Sequence, residues 1–182
     1  MRLENGWVWT DDHQRTSVPG LFAAGDVTER MLLAQVAARQ GAVAAENALG
    51  GDARMDYRAV PACLYTRPEV AWVGLSAREA AARGYAVVVG RASMGGNPRA
   101  LAAGEEEGWV EVVADGRYGE ILGAHLVGPH AGELVSQVAG MMQAEGTILE
   151  WEKVIHPHPT LSEAIGEAVA MAAHRMRAGA GR

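Results

Sequence analysis

Hydrophobic and polar positions in the first 50 residues predict short strands followed by one long helix. Residues 7–9 form a short apolar strand candidate, and the apolar run 21–24 stops at a Gly-Asp pair, as a buried strand does where it opens onto a loop. Residues 29–49 are rich in alanine, the best helix former, and Gly50-Gly51 ends them. The outer face of this helix carries few charges, so we expect it to be covered on most sides. Close packing then explains Gly41.

From residue 59 onward, short strand patterns alternate with amphipathic segments. Ser76 and Glu79 have the spacing of a capping box, and Asp115-Gly116 is a hairpin signal. This order predicts the α+β class, with an antiparallel sheet and packed helices. The strands are predicted at 61–65, 70–73, 85–90, 108–114 and 121–127, and the helices at 77–83, 133–145, 150–155 and 161–176.

Polar residues divide the chain into two units. Residues 51–58 read as a linker between a unit of residues 1–50 and a unit of residues 59–176. Residues 177–182 read as a flexible tail.

Composition narrows the class of protein. The chain has 182 residues, of which 49% are hydrophobic and 21% charged, as in a globular protein. Its net charge of −6 argues against nonspecific binding to nucleic acid or to an anionic membrane. No apolar run reaches the roughly 18 residues of a membrane span. Cys63 is the single cysteine, which excludes an intrachain disulfide and makes the cytoplasm the expected location.

The segment from His156 to Glu163 carries the most informative chemistry. Thr160 and Glu163 have capping-box spacing, which explains both residues structurally. An imidazole held beside a carboxylate also suits general acid–base catalysis. Two histidines at i and i+2 suggest metal binding, but in an extended segment they point to opposite sides, and no cluster of further ligands accompanies them. Residue types alone leave capping, acid–base catalysis and metal binding open.

The same segment resembles the C-terminal signature of the dihydrolipoamide dehydrogenases, which belong to the flavin- and pyridine-nucleotide-dependent disulfide reductases. Three more segments resemble that family in the same order, and the similarity runs from about residue 5 to residue 170. The resemblance implies that residues 1–50 are a C-terminal remnant of an FAD-binding domain. It implies that residues 59–176 are the dimerisation domain. The matching segments are 16–26, 65–74, 122–134 and 156–163.

The resemblance also implies roles for individual residues. His158 would be the acid–base residue that handles a proton of the dithiol substrate, and Glu163 would hold its imidazole. In the family this pair completes the active site of the other subunit. Asp26 would accept a hydrogen bond from the ribityl chain of FAD. The flavin-contacting stretch would be Leu32, Leu33, Ala34 and Gln35, where the family more often has Met first and His last.

Several family elements have no counterpart in this sequence: the Gly-rich flavin motif, the redox-active Cys-x4-Cys pair and the nicotinamide domain. We therefore expect a C-terminal fragment of an enzyme that oxidises dihydrolipoamide with FAD as cofactor and NAD as co-substrate. Its expected partners are a second copy, through the C-terminal domain, and a lipoyl-bearing substrate or 2-oxo acid dehydrogenase complex. Cys63 reads as a small core residue.

Two alternatives remain open. One is a free-standing dimerisation module without catalytic function. The other is a fragment of a mercuric or glutathione reductase-like protein, since Asn97–Leu101 resembles mercuric reductases. As a local structure, residues 97–101 read equally well as a solvated turn. We expect the last helix and strands 108–127 to supply an apolar dimer face, and His156→Gln to be a mild substitution.

Overall fold

The computed structural model describes residues 1–179, which belong to two compact units. The first unit is Met1–Tyr57, and the second begins at Arg58. The predicted α+β class with an antiparallel sheet and packed helices is confirmed, and the sheet lies in the second unit. None of the helices within residues 1–179 combines the length and apolar character needed to cross a lipid bilayer.

The first unit contains a two-stranded hairpin and one long helix. Strand β1 (Leu3–Glu4) pairs antiparallel with β2 (Trp7–Val8), which is shorter than the strand predicted at 7–9. The buried strand predicted at 21–24 is wrong. Only a single bridge, between Arg15 and Phe22, forms there, because the segment meets residues 14–16 at isolated hydrogen bonds and has no ladder to extend.

Helix α1 (Ala34–Ala48) begins five residues later than predicted. A short helical turn at Asp26–Thr28 comes first and ends at Glu29, whose φ of 57° is left-handed and interrupts the helix. The C-terminal end agrees with the prediction, since Gly50 follows with a φ of 93°.

The burial expected for α1 is wrong within the first unit. Its buried residues form one stripe, and the other positions are exposed or half-buried. A Cβ added at Gly41 would meet nothing within 4 Å, so close packing does not explain this glycine. Alanine favours the helix by backbone propensity whether or not the surrounding face is covered, which is why composition overstated the burial. The buried stripe is Val36, Gln40, Val43 and Asn47.

Five antiparallel strands form the sheet of the second unit, and all five lie where the sequence predicted strands. Their spatial order is β3-β4-β7-β6-β5. The predicted hairpin after Asp115 joins β6 to β7. The strands are β3 (Ala62–Leu64), β4 (Glu69–Gly74), β5 (Val87–Ser93), β6 (Trp109–Asp115) and β7 (Ile121–Gly128).

Five α-helices accompany the sheet within residues 58–179. The capping box predicted from Ser76 and Glu79 is confirmed at the start of the first of them. The prediction of a solvated turn at residues 97–101 is wrong, because a helix begins at Pro98 with Asn97 as its N-cap. The helices are α2 (Ala77–Ala82), α3 (Pro98–Ala103), α4 (Ala131–Gln143), α5 (Ile148–Trp151) and α6 (Glu163–Gly179).

The last helix differs from its prediction at both ends. It begins at Glu163 rather than residue 161, and it continues to Gly179. The first part of the predicted tail is therefore helical, and the Arg177 guanidinium donates two hydrogen bonds of 2.7 Å to the Glu152 carboxylate. The rest of that tail, residues 180–182, lies outside the described residues.

The core of the second unit lies between one face of the sheet and helices α4 and α6. Helix α6 contacts β5 and β6, and α4 contacts β4 and β7. The expectation that strands 108–127 contribute to a dimer face stays a prediction, and on one face of these strands the chain's own helices bury the apolar side chains. The fully buried ones include Val110, Val112, Ala124 and Leu126.

Gly90 marks the closest approach of α6 to the sheet. A Cβ at this position would lie 1.7 Å from the carbonyl oxygen of Ala168 and 2.7 Å from the amide nitrogen of Ala172. Both contacts are backbone atoms of a buried helix, so no side chain can rotate away to make room. The absence of a side chain at residue 90 thus sets the distance between α6 and the sheet.

We predict that Gly90→Ala lowers the free energy of unfolding by about 1–3 kcal/mol or more, because α6 must shift off the sheet. Urea unfolding followed by circular dichroism measures this change. Gly140→Ala in α4 is the matched control, since a Cβ there meets nothing within 4 Å. It should be neutral or stabilise by up to about 1 kcal/mol through helix propensity. Equal stability of the two variants would contradict the packing argument.

Candidate active site

Residues 152–162 connect α5 to α6 and bring His158 to Glu163, the first residue of α6. Nδ1 of His158 lies 2.8 Å from Oε1 of Glu163. A carboxylate only accepts hydrogen bonds, so Nδ1 carries the proton and Nε2 keeps a free lone pair in the neutral ring. The His158 side chain is 68% exposed and that of Glu163 is 23% exposed. The pair therefore presents an oriented imidazole at the surface.

Glu163 is held by its own loop as well as by the histidine. The backbone N–H of Thr160 donates to its Oε2 at 2.8 Å. This hydrogen bond, followed by that of His158, lowers the pKa of Glu163 below its ordinary value. Glu163 is consequently a carboxylate at neutral pH, as a partner for an imidazolium must be.

Only half of the predicted capping box forms at Thr160. The Glu163 carboxylate accepts from the Thr160 backbone, but the Thr160 hydroxyl donates to the carbonyl oxygen of Pro157 at 2.8 Å. The hydroxyl is thus engaged within the loop and does not cap α6. Capping explains one of the two hydrogen bonds at the Glu163 carboxylate, and the contact with His158 is additional.

His156 contacts α6 rather than Glu163. A Cβ added at Gly166 would lie 2.8 Å from Cδ2 of His156 and 2.9 Å from its Nε2, so the ring lies directly over this glycine. Its Nε2 is buried and has no hydrogen-bond partner among the described residues. Residues 1–179 contain no group of three or more His, Cys, Asp or Glu side chains arranged to hold a metal ion.

Asn97 also contacts this loop, through a hydrogen bond that no local sequence pattern predicts. Its side-chain Nδ2 donates to the carbonyl oxygen of Thr160 at 3.0 Å, while its Oδ1 caps α3. The Asn-Pro pair at residue 97 is a recognisable N-cap signal. The bond to Thr160 spans 63 residues and leaves no such local signal.

The predicted flavin-contacting residues lie around two turns of the first unit. Asp26 is exposed and follows Gly25, whose φ of 81° is left-handed. The Gly25 N–H donates to Oε1 of the buried Gln40 at 2.7 Å, and its carbonyl accepts from the Thr28 hydroxyl. Both polar groups of the Gly25 backbone are therefore held, which fixes the position of Asp26.

The second turn is the entry to α1. Leu33 is its N-cap residue and supplies no side-chain hydrogen bond, so the first amides of the helix are not capped by that residue. Leu32 is 59% exposed, and Ala34 and Gln35 are also exposed. Helix N-terminal amides favour electron-rich groups, and an exposed carboxylate accepts from hydroxyls. Together, the amides at the start of α1 and the Asp26 carboxylate suit a ligand that has an electron-rich group and hydroxyl groups.

Cys63 lies half-buried on β3, against the core of the second unit. Burial, and then the negative charge of Glu69, raises the pKa of its thiol. A raised pKa keeps the sulfur protonated and weakly nucleophilic. The structure agrees with the expectation of a small packing residue.

Comparison with known proteins places the chain in a family. Residues 60–169 match the model of the pyridine nucleotide-disulphide oxidoreductase dimerisation domain, and residues 1–41 match that of pyridine nucleotide-disulphide oxidoreductases. The dihydrolipoyl dehydrogenase of Halobacterium salinarum is 45% identical over 165 residues, which cover 91% of this chain and 35% of the relative. That of Thermus scotoductus is 43% identical, covering 91% of this chain and 36% of the relative.

Solved structures of proteins in this family are similar to the chain as well. LpdA from Mycobacterium tuberculosis superimposes with a TM-score of 0.85 at 33% identity, covering 90% of this chain and 36% of the other. The HOCl-induced flavoprotein disulfide reductase RclA from Escherichia coli has a TM-score of 0.82 at 22% identity, over 93% of this chain and 39% of the other, and shares the fold. The chain thus spans about a third of the length of the curated relatives. Because the dimerisation-domain model matches more than half of its residues, the chain belongs to the pyridine nucleotide-disulphide oxidoreductase family.

Proposed function

We propose that this chain supplies the acid–base pair and the dimerisation domain of a dihydrolipoamide dehydrogenase, which uses FAD and NAD to oxidise dihydrolipoamide to lipoamide. The hydrogen bond of 2.8 Å between His158 and Glu163 is the observation that carries this proposal. A dimerisation module without catalytic function would not need an imidazole oriented by an ionised carboxylate.

The chemistry of the substrate explains why such a pair is useful. A free thiol has a pKa near 8.5, so only a few per cent is thiolate at neutral pH, and the thiolate is the form that attacks a disulfide. The lone pair on Nε2 of His158 accepts the thiol proton. The Glu163 carboxylate holds the ring in the tautomer that leaves Nε2 free, and it stabilises the imidazolium that results.

The residues of the first unit fit the role proposed for them toward FAD. FAD, when bound, supplies the two-electron transfer between thiols and NAD. Asp26 is exposed and fixed through Gly25, so it can accept a hydrogen bond from a ribityl hydroxyl. The backbone from Leu32 to Gln35 would place the N-terminal amides of α1 against the electron-rich flavin.

The proposed partners follow from the exposure of the pair. His158 is 68% exposed, as expected of a residue that completes an active site in a second copy of the chain. A lipoyl group carried by a 2-oxo acid dehydrogenase complex is the proposed substrate. The alternative is a free-standing dimerisation module, which would use the matched dimerisation domain without the acid–base pair. A catalytic test of His158 distinguishes the two functions.

We predict that His158→Gln lowers dihydrolipoamide oxidation by about 10²–10⁴-fold, because a positioned general base is lost. The test uses a chimera in which this chain replaces the corresponding third of the Thermus scotoductus relative. Stopped-flow reduction of the chimera by dihydrolipoamide measures the step, and flavin content should stay unchanged. Glu163→Gln should cost less, since the base remains and only its orientation and charge stabilisation weaken.

His174→Gln is the control for these variants, since it changes an exposed histidine of α6 for which we propose no role. It should leave the rate unchanged. His156→Gln is a less neutral control than the sequence suggested, because it removes a ring that contacts Gly166. Equal losses from His174→Gln and His158→Gln would show that His158 is not the base.

We predict that the 182-residue chain alone does not reduce NAD with dihydrolipoamide and does not retain stoichiometric FAD. Its single cysteine cannot form the disulfide that the reaction requires. Losing several contacts of about 1 kcal/mol each to FAD removes orders of magnitude in affinity. Absorbance at the flavin band after purification and an NADH assay measure both properties. A yellow, active chain would contradict the division of roles proposed here.

We also predict that the purified chain self-associates through the surface around the acid–base loop. Ile155 is 94% exposed and Val154 is 47% exposed, beside the pair that must face a second copy. Apolar side chains at such exposure favour association. Sedimentation velocity should show a dimer at high concentration and a shift toward monomer for Ile155→Asp. A strictly monomeric wild-type chain would count against this surface.

A further inference from the structure

We infer that Asn97 is a positioning residue for the acid–base pair, acting through its hydrogen bond to Thr160. The inference rests on the function proposed for His158 and Glu163. The side chain of Asn97 hydrogen-bonds to the backbone of Thr160, Arg99 and Ala100, and the residue lies at the start of a different helix, α3. Its effect would therefore be on the geometry of the loop and not on the chemistry of the substrate.

Every polar atom in the Asn97 side chain is used. Oδ1 accepts from the backbone N–H groups of Arg99 and Ala100 at 2.9 and 3.0 Å, which caps α3. Nδ2 donates to the carbonyl oxygen of Thr160 at 3.0 Å. The residue is only 1% exposed, and the neighbouring Ala100 is fully buried. The amide is thus anchored in the core and extends one donor to the loop.

Thr160 connects the Asn97 side chain to the Glu163 carboxylate through its own backbone. Its N–H donates to Oε2 of Glu163, and its hydroxyl donates to Pro157. Its carbonyl accepts from Asn97 at 3.0 Å and, over a longer distance of 3.4 Å, from the Glu163 backbone N–H. All three polar groups of Thr160 are therefore bonded. A rotation of the Thr160 backbone that followed loss of the Asn97 donor would also disturb the N–H that holds the carboxylate.

Other contacts to the loop are less able to set this geometry. Gln137 donates to the Ser162 hydroxyl at 2.8 Å, but this bond is exposed to solvent, where water competes for both groups. The His156 ring packs over Gly166 and fixes the start of the loop, two residues before His158. The Asn97 side chain, in contrast, is buried, and it bonds directly to Thr160, whose N–H holds the Glu163 carboxylate.

The test measures the tautomer of His158 in the full 182-residue chain. With ¹⁵N-labelled histidine at a pH where the ring is neutral, nitrogen chemical shifts report which ring nitrogen carries the proton. The wild-type chain should favour the Nδ1–H form, because Nδ1 donates to Glu163. Asn97→Asp keeps the Oδ1 cap of α3 and removes the donor to Thr160. It should lower the ratio of Nδ1–H to Nε2–H by about 2- to 10-fold.

Two further variants isolate the missing donor. Asn97→Ser keeps a capping oxygen without adding a charge, so it should lower the ratio as Asn97→Asp does, and it carries the test if the buried carboxylate prevents folding. Gly104→Ala weakens the C-terminal end of α3, where the φ of 69° favours glycine, and leaves Asn97 in place. It should leave the tautomer ratio unchanged. Circular dichroism confirms that each variant is folded.

Each result has a distinct meaning. A wild-type ratio in both Asn97 variants would overturn the inference, and so would an equal drop in Gly104→Ala, which would indicate general loosening of α3. Glu163→Ala removes the acceptor for Nδ1, and a tautomer ratio equal to that of the wild-type chain in this variant would show that the pair itself does not form. The proposed function would then fail along with this inference. A ratio that depends on Glu163 but not on Asn97 would leave the proposed function standing.

Discussion

The acid–base loop depends on one carboxylate that accepts a hydrogen bond on each of its two oxygens. Oε2 of Glu163 receives the Thr160 backbone N–H, and Oε1 receives the His158 ring. The bond from Thr160 holds the Glu163 side chain at the start of its own helix. The bond from His158 then orients the imidazole relative to that carboxylate. Both bonds favour the ionised form and lower the pKa of Glu163. The negative charge that orients the ring is therefore produced by the same contacts that fix the loop.

Local sequence patterns predicted the helix caps and strands of the second unit well, because the interactions that these patterns encode join residues close together in the sequence. The capping box of Ser76 and Glu79 forms as expected, and the five strands lie in their predicted places. The pattern at Thr160 and Glu163 is the same in spacing but forms only in part. A competing acceptor, the carbonyl of Pro157, lies within reach of the Thr160 hydroxyl. Spacing identifies which groups can meet, and the backbone geometry of the loop decides which of them do.

Long-range contacts and burial were less predictable. The bond from Asn97 to Thr160 joins residues 63 positions apart, and nothing in either local sequence requires it. In α1 the error was different in kind. Alanine stabilises a helix through its backbone preference. A face of small uncharged side chains therefore looks buried in the sequence even at Gly41, where an added Cβ would meet no neighbouring segment within 4 Å. Propensity and burial coincide in α6, where Ala168 and Ala172 pack against the sheet, but the sequence alone does not tell the two helices apart.

The hydrogen bonds that orient the His158 ring do not shield it from water. Hydrogen bonds within the second unit orient the His158 ring, yet the ring is 68% exposed, and water weakens the electrostatic stabilisation that Glu163 can give an imidazolium. A base in this position gains most of its effect when another surface covers it. The adjacent Ile155, at 94% exposure, provides an apolar rim for such a surface to contact. On the proposed function, covering the loop with a second copy would both bury this rim and strengthen the interaction of Glu163 with the protonated ring. Dimerisation and catalysis would then depend on the same few residues.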